Sequence, residues 1–122
     1  MRNDQERLLD ILEAIEKIDQ HVVDDRTAFD TDEMLQVWVI HHLQIIGEAS
    51  YGLSQEFRAG HPEIPWNQIV GMRHILVHGY FEIDIDIVWA AVENNLTPLR
   101  DSVETILSRL TEDSQTDDMV GQ

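Results

Sequence analysis

Three observations predict an all-α protein, an antiparallel bundle of four to five helices. Apolar residues recur at three- and four-residue steps along most of the chain, which is the periodicity of helices with one buried face. With 122 residues, 43% of them hydrophobic, the chain is long enough for one core and too short for two. Cys is absent, so no disulfide framework shapes the fold. We expect one helical domain over residues 1–110 and an acidic, disordered tail over residues 111–122.

Two helices are predicted in the first half of the chain. The first runs from about Asp4 to Val23 and carries an apolar stripe formed by Leu8, Ile11, Leu12, Ile15, Ile18 and Val22. After a polar connection over residues 24–30, Asp30 is expected to cap the second helix, in an approximate capping box with Glu33. This helix is expected to extend to about residue 58. It should be central or lie at a subunit interface, because residues 37–46 are apolar nearly all round.

The second half is predicted to contain the remaining helices. Pro65 suits the first turn of the third helix, where its missing N–H costs nothing. Residues 81–87 alternate between apolar and polar, but a lone strand has nothing to pair with, so we expect an extended connection there. Asp84 or Asp86 is expected to cap the last helix, which Pro98 should kink or break.

The charge balance limits how the protein can act on nucleic acid. Eight basic residues face twenty-four acidic ones, which gives a net charge of −16. Such a surface repels RNA overall, so a nuclease would need a local cleft in which Arg and His outnumber the acids. The acidity fits a basic protein partner, or solubility alone, equally well. The sequence has neither a membrane-spanning run nor an apolar signal region at its start, and we expect a cytoplasmic protein.

Arg73, His74 and His78 form the candidate catalytic group. Metal-free cleavage of RNA requires a base for the 2′-hydroxyl, an acid for the leaving 5′-oxygen and a cation for the charged phosphate, and His and Arg supply these capacities. On an ideal helix Arg73 and His78 lie about 140° apart. Either Arg73 reaches across, or the helix ends before His78, or a two-fold dimer brings two copies of the segment to one cleft. We favour the homodimer, because it also concentrates positive charge in a groove.

The pattern Arg73-X-X-X-X-His78-X-Tyr80 resembles the signature of HEPN-domain proteins of the HepT kind. The spacing of Arg and His alone is a weak signal, whereas the spacing together with the Tyr and the flanking segments is fairly specific. The resemblance covers about residues 4–110. The segments that carry it outside the motif are Ile46-Gly47-Glu48-Ala49, Ile64-Pro65-Trp66, Ile69-Val70-Gly71-Met72, Gly79-Tyr80-Phe81 and Val88-Trp89.

The resemblance implies a homodimeric helical bundle that acts as a metal-independent endoribonuclease on RNA, not on DNA, with no cofactor of its own. Arg73 would stabilise the scissile phosphate, His78 would transfer protons, and His74 would support the site. The implied partner is an MntA-like nucleotidyltransferase, the antitoxin of a type VII toxin–antitoxin system. It would use ATP and magnesium to attach AMP to Tyr80, where added bulk and negative charge would block the cleft.

Each role has an alternative. Tyr80 also suits a core position, with its hydroxyl at the surface. His74 could serve only to orient its neighbours, and Glu48 could pair with Arg73 or be a plain polar residue of the central helix. His74 and His78 are spaced like two zinc ligands on a helix, although the Glu of the zinc-protease motif is absent. The alternative function is a non-catalytic HEPN scaffold for a nucleotidyltransferase, which the acidic surface favours.

The other His and Trp residues carry no catalytic signal. His41 and His42 are adjacent and point to different sides of a helix, so we expect core or interface positions. His61 is expected in a loop. The three Trp residues recur at helical steps among apolar neighbours and are predicted to lie in the core: Trp38, Trp66 and Trp89.

Overall fold

A computed structural model describes residues 3–22, 26–71 and 84–120, with side chains as far as residue 110. Every regular element in these ranges is an α-helix, which confirms the predicted all-α class. The helices are α1 (Asp4–His21), α2 (Arg26–Thr31), α3 (Glu33–Tyr51), α4 (Gln55–Gly60), α5 (described over 66–71), α6 (Ile85–Asn94) and α7 (Leu96–Val120).

The antiparallel pair α1 and α3 forms the centre of the molecule. At one end, the Asp4 carboxylate accepts hydrogen bonds from the backbone N–H and the hydroxyl of Ser54, at 2.9 and 2.8 Å. At the other end, Nε1 of Trp38 donates to the carbonyl oxygen of Lys17, at 3.0 Å. Helix α7 packs on α1, α6 packs on α7 and α3, and α2 packs on α3.

One apolar core joins these helices. The predicted stripe of α1 is confirmed, since four of its members are fully buried and Leu12 and Val22 are partly buried against the core. Helices α2, α3, α5, α6 and α7 contribute most of the remaining buried side chains. The large apolar side chains with almost no exposure are Leu8, Ile11, Ile15, Ile18, Phe29, Val39, Leu43, Ile46, Val88 and Val103.

The connection predicted over residues 24–30 was wrong in part, because helix α2 begins at Arg26. Six residues are too few to show a periodicity, and the fully buried Phe29 holds this turn against the core. The predicted cap was also wrong. The side chain of Asp32, not of Asp30, accepts a hydrogen bond from the N–H of Leu35, at 3.1 Å, and α3 therefore begins at Glu33.

The second helix was predicted to continue to about residue 58, and this was also wrong. Helix α3 ends at Tyr51, and Ser54 begins α4 by accepting a hydrogen bond from the N–H of Phe57, at 3.1 Å. The same serine donates to Asp4, fifty residues earlier. A contact between such distant residues leaves no trace in the local periodicity.

In the second half, the predicted start of the third helix at Pro65 and the cap at Asp84 are confirmed. The Asp84 side chain accepts from the N–H groups of Asp86 and Ile87, at 2.9 and 3.4 Å. Residues 85–87 are therefore helical, where an extended connection was predicted; residues 81–83 lie outside the described residues. The break expected from Pro98 occurs at Asn95, three residues earlier, so that the proline lies in the first turn of α7.

The backbone of α7 continues to Val120, whereas the sequence predicted a disordered tail from residue 111. This segment contains no Gly or Pro before Gly121, so nothing in it interrupts the helical hydrogen bonds. None of the described helices is both long and apolar enough to cross a membrane.

Candidate functional site

The predicted catalytic residues Arg73, His74 and His78, together with Tyr80, lie outside the described residues. The structure describes the two helices on either side of them, α5 and α6. It therefore shows how the chain enters and leaves the segment that carries the motif, and the catalytic roles of these residues stay predictions.

The entry is a helix start anchored at several points. The carbonyl oxygen of Pro65 accepts from the N–H groups of Gln68 and Ile69, both at 3.1 Å. Trp66 is buried, and its Nε1 donates to the carbonyl oxygen of His61 at 3.0 Å, while Ile69 is buried in the core. These contacts set the position and direction of α5, the helix that leads into Arg73.

The exit is anchored at the start of α6. Beyond the Asp84 cap, Trp89 is buried and its ring lies 5.3 Å from the ring of Phe29, centre to centre. An ion pair between Arg26 and Asp86 joins the same end of α6 to α2. After the motif, the chain therefore continues into a helix whose start is anchored to α2.

Glu48 lies on the exposed side of α3. Its backbone oxygen accepts from the N–H of Gly52 at 3.0 Å, as part of the helix end. The carboxylate faces solvent, so it is accessible to a cation from another part of the chain. Its pairing with Arg73 stays a prediction, because Arg73 is outside the described residues.

The adjacent histidines of α3 differ in environment. His42 is 4% exposed, and its Nδ1 lies 2.7 Å from the carbonyl oxygen of Trp38. Because a carbonyl oxygen only accepts, Nδ1 is the donor, and His42 has a structural role, as the sequence predicted. His41 is exposed, which contradicts a core position, and its expected alternative, a position at a subunit interface, stays a prediction.

The remaining aromatic predictions are mostly confirmed. Trp66 and Trp89 are buried in the core, whereas Trp38 is half-buried and packs against the ring of His42, at 4.4 Å. His61 follows α4 in the loop, with Nδ1 3.4 Å from the carboxylate of Glu63. Within the three described ranges, no group of three or more His, Asp or Glu side chains is arranged to hold a metal ion.

A cavity that the sequence did not predict lies beside α5. It has a volume of about 180 Å³ and is bounded by α3, the loop before α5, α5 itself and the junction between α6 and α7. Leu43, Ile46, Ile69 and Leu99 belong to its buried wall. A single sequence contains no signal for such a cavity, because its wall combines residues from three separate segments, 43–46, 63–69 and 94–102.

Comparisons with known proteins agree with the resemblance carried by the motif. The family described as "Ribonuclease HepT-like" matches residues 11–106, a range that includes Arg73, His74, His78 and Tyr80. A protein of Methanocaldococcus jannaschii named "Putative RNase MJ1380" is 37% identical over 81% of this chain and 92% of its own length. "Probable ribonuclease HepT" of Thermococcus cleftensis is 37% identical over 86% of this chain and 96% of its own. No solved structure matches significantly. The chain belongs to the HepT-like family of ribonucleases.

Proposed function

We propose that this ribonuclease cleaves RNA internally and without a metal ion, with Arg73 and His78 as its catalytic residues and His74 in support. The observation that carries the proposal is the Arg73-X-X-X-X-His78-X-Tyr80 pattern inside the segment that matches the ribonuclease family. No other pair of Arg and His in the sequence combines this spacing with a following Tyr.

The chemistry follows from the two side-chain types. The imidazole of His78 takes the proton from the 2′-hydroxyl, and the freed oxygen attacks the adjacent phosphorus. The bond from phosphorus to the 5′-oxygen breaks, and the leaving oxygen receives a proton from an imidazolium. Arg73 balances the charge on the phosphate oxygens during this step. The products are a 2′,3′-cyclic phosphate and a 5′-hydroxyl.

Two subunits share the cleft in this proposal, so that one imidazole acts as base and the other as acid. Support comes from the net charge of −16, because a cleft that combines the motifs of both subunits concentrates cations on a molecule that otherwise repels RNA. Met34 and Val37 add a short exposed apolar surface on α3, of the kind that association covers.

The same proposal includes regulation by a partner protein. A nucleotidyltransferase antitoxin of the MntA kind, in a type VII toxin–antitoxin system, attaches AMP from ATP to the hydroxyl of Tyr80 with the help of magnesium, and pyrophosphate leaves. The added phosphate lies two residues from His78 in the sequence and repels the RNA phosphate. The acidic surface supports this partnership, since it attracts a partner with a basic face.

RNA cleavage in excess EDTA tests the catalytic proposal. Arg73→Ala and His78→Ala should each lower the cleavage rate by about 10²–10⁴-fold, the usual effect of losing an acid–base or charge-stabilising group. Arg109→Ala and His21→Ala are the matched controls, because they remove the same chemical groups from exposed positions of α7 and α1. Helical content and oligomeric state should be unchanged in all four variants.

Two results would contradict this mechanism. Cleavage that EDTA abolishes and added metal restores would indicate a metal-dependent hydrolase that uses His74 and His78. A pure, unmodified protein that leaves every RNA intact, yet binds a nucleotidyltransferase, would indicate the non-catalytic scaffold.

The regulatory proposal has its own experiment. Intact-mass analysis of the protein, produced together with its nucleotidyltransferase, should show whole AMP units added to it, and Tyr80→Phe should abolish them. Unmodified protein in the presence of an active nucleotidyltransferase would refute modification at Tyr80 without affecting the catalytic proposal.

A further inference from the structure

The cavity beside α5 combines an apolar wall with polar side chains. Its wall is apolar and buried, and consists of Leu43, Ile46, Ile64, Ile69, Leu96 and Leu99. Polar side chains surround its mouth: Glu63, Gln68, Asn94, Asn95 and Ser102. We propose that this cavity holds one base of the RNA substrate and prefers a base with an exocyclic amine, cytosine over uracil. This inference rests on the proposed ribonuclease function.

The size and the apolar wall suit a planar ring. A cavity of roughly 150 Å³ lined by apolar side chains accepts a benzene ring, so about 180 Å³ is sufficient for a six-membered ring with substituents. The faces of a nucleobase are apolar and its edges are polar. Proteins that recognise single-stranded RNA take unstacked bases into pockets and bind their edges by hydrogen bonds.

The charges at the mouth select the base over the phosphate. Among the described residues that line the cavity, none carries a positive charge, and Glu63 carries a negative one. A phosphate group is repelled here, whereas an uncharged base is not. The amide groups of Gln68, Asn94 and Asn95 each offer a donor and an acceptor, which matches the mixed edge of a base.

Glu63 provides the discrimination between bases. A carboxylate only accepts hydrogen bonds, and it accepts from the exocyclic amine of cytosine. Uracil presents a carbonyl oxygen at the same ring position, which the carboxylate repels. Nδ1 of His61, 3.4 Å from the carboxylate, limits the orientations of the Glu63 side chain.

The location connects the cavity with the proposed chemistry. Gln68 and Ile69 lie on α5, and only four residues separate Gln68 from Arg73 in the sequence. A base held here belongs to a nucleotide close to the cleaved bond. The cavity should therefore influence which bond is cleaved, rather than only the overall affinity for RNA.

The test compares cleavage of short oligoribonucleotides that differ by cytidine or uridine at one position near the cleaved bond. The parent protein should prefer cytidine by about fivefold or more, the lower end of the discrimination that base-edge contacts provide. Glu63→Gln should remove most of this preference, because an amide can also donate to the uracil carbonyl. Glu56→Gln is the control, since it makes the same charge change at an exposed position of α4 outside the cavity.

An unchanged ratio of cytidine to uridine cleavage in Glu63→Gln, or the same change in Glu56→Gln, would overturn the inference while leaving the nuclease intact. If the parent protein cleaves no RNA, the proposed function fails instead. Binding then tests the cavity directly. Titration of isotope-labelled protein with cytidine should shift the side-chain amide signals of Gln68, Asn94 and Asn95 more than titration with uridine, and no shift with either nucleoside would refute the site.

Discussion

Ser50, near the end of α3, and Ser54, at the start of α4, show how differently single hydroxyl groups contribute to this structure. The hydroxyl of Ser50 is fully buried and has no hydrogen-bond partner among the described residues. Ser54, four residues later, accepts from the N–H of Phe57 and donates to the carboxylate of Asp4. A buried hydroxyl without a partner lowers stability, whereas a hydroxyl that caps a helix raises it.

This difference predicts effects of opposite sign for the same substitution. Ser50→Ala should raise the free energy of unfolding by about 1 kcal/mol, because it removes a desolvated polar group and leaves only a small space. Ser54→Ala should lower the free energy of unfolding by about 1 kcal/mol, because the first turn of α4 loses its cap. Denaturant unfolding followed by circular dichroism measures both. Destabilisation by Ser50→Ala would show that its hydroxyl is bonded in solution.

Among the helices, α3 illustrates how an N-terminal cap sets the start of an element. Two aspartates precede it, Asp30 and Asp32, and either is an acceptable cap by residue type. The structure uses Asp32, whose side chain bonds to the N–H of Leu35. Asp30 instead belongs to α2, where its carboxylate lies 3.3 Å from Arg26 in an exposed ion pair.

The choice of cap is testable with a matched pair of variants. Asp32→Ala should lower the free energy of unfolding by about 1 kcal/mol, within the usual range for loss of a cap. Asp30→Ala should cost less than about 0.5 kcal/mol, because an exposed ion pair contributes little and is screened by salt. Parallel denaturant titrations give the two differences. Equal losses would mean that both carboxylates cap the helix.

For the whole molecule, the net charge of −16 is the property most relevant to the proposed function, because it opposes the approach of RNA. Part of that charge is on the last turns of α7. Residues 111–122 carry four acids, Glu112, Asp113, Asp117 and Asp118, and no Lys or Arg. Replacing these four with neutral residues would change the net charge from −16 to −12.

Neutralising the four acids as Glu112→Gln, Asp113→Asn, Asp117→Asn and Asp118→Asn should raise kcat/KM for RNA roughly threefold at low ionic strength. The gain should disappear near 1 M salt, where the screening length falls to about 3 Å. Initial rates of RNA cleavage by the parent and the variant, measured over a series of salt concentrations, give the gain in kcat/KM and its dependence on salt. The control exchanges Glu and Asp at the same positions and keeps the charge. A gain that persists at high salt would contradict an electrostatic cause.

The helical class, the stripe of α1, the helix start at Pro65 and the cap at Asp84 could all be predicted, because each depends on residues a few positions apart. The candidate site could be predicted only as a motif, Arg73 with His78 and Tyr80, inside the range that matches the family, and the roles of these residues stay predictions. The three-dimensional arrangement of the site could not be predicted. The angle between Arg73 and His78 on an ideal helix allows a site within one chain as well as a site shared by two subunits.

Local patterns of residues were thus sufficient to predict that the protein is helical, has one core and belongs to a ribonuclease family. Contacts between distant segments produced the remaining features. The bond from Ser54 to Asp4 accompanies the break after α3, the buried Phe29 holds α2, and three separate segments enclose the cavity beside α5. The physical reason is that periodicity and capping are interactions between neighbours in the chain, whereas tertiary contacts join residues fifty or more positions apart.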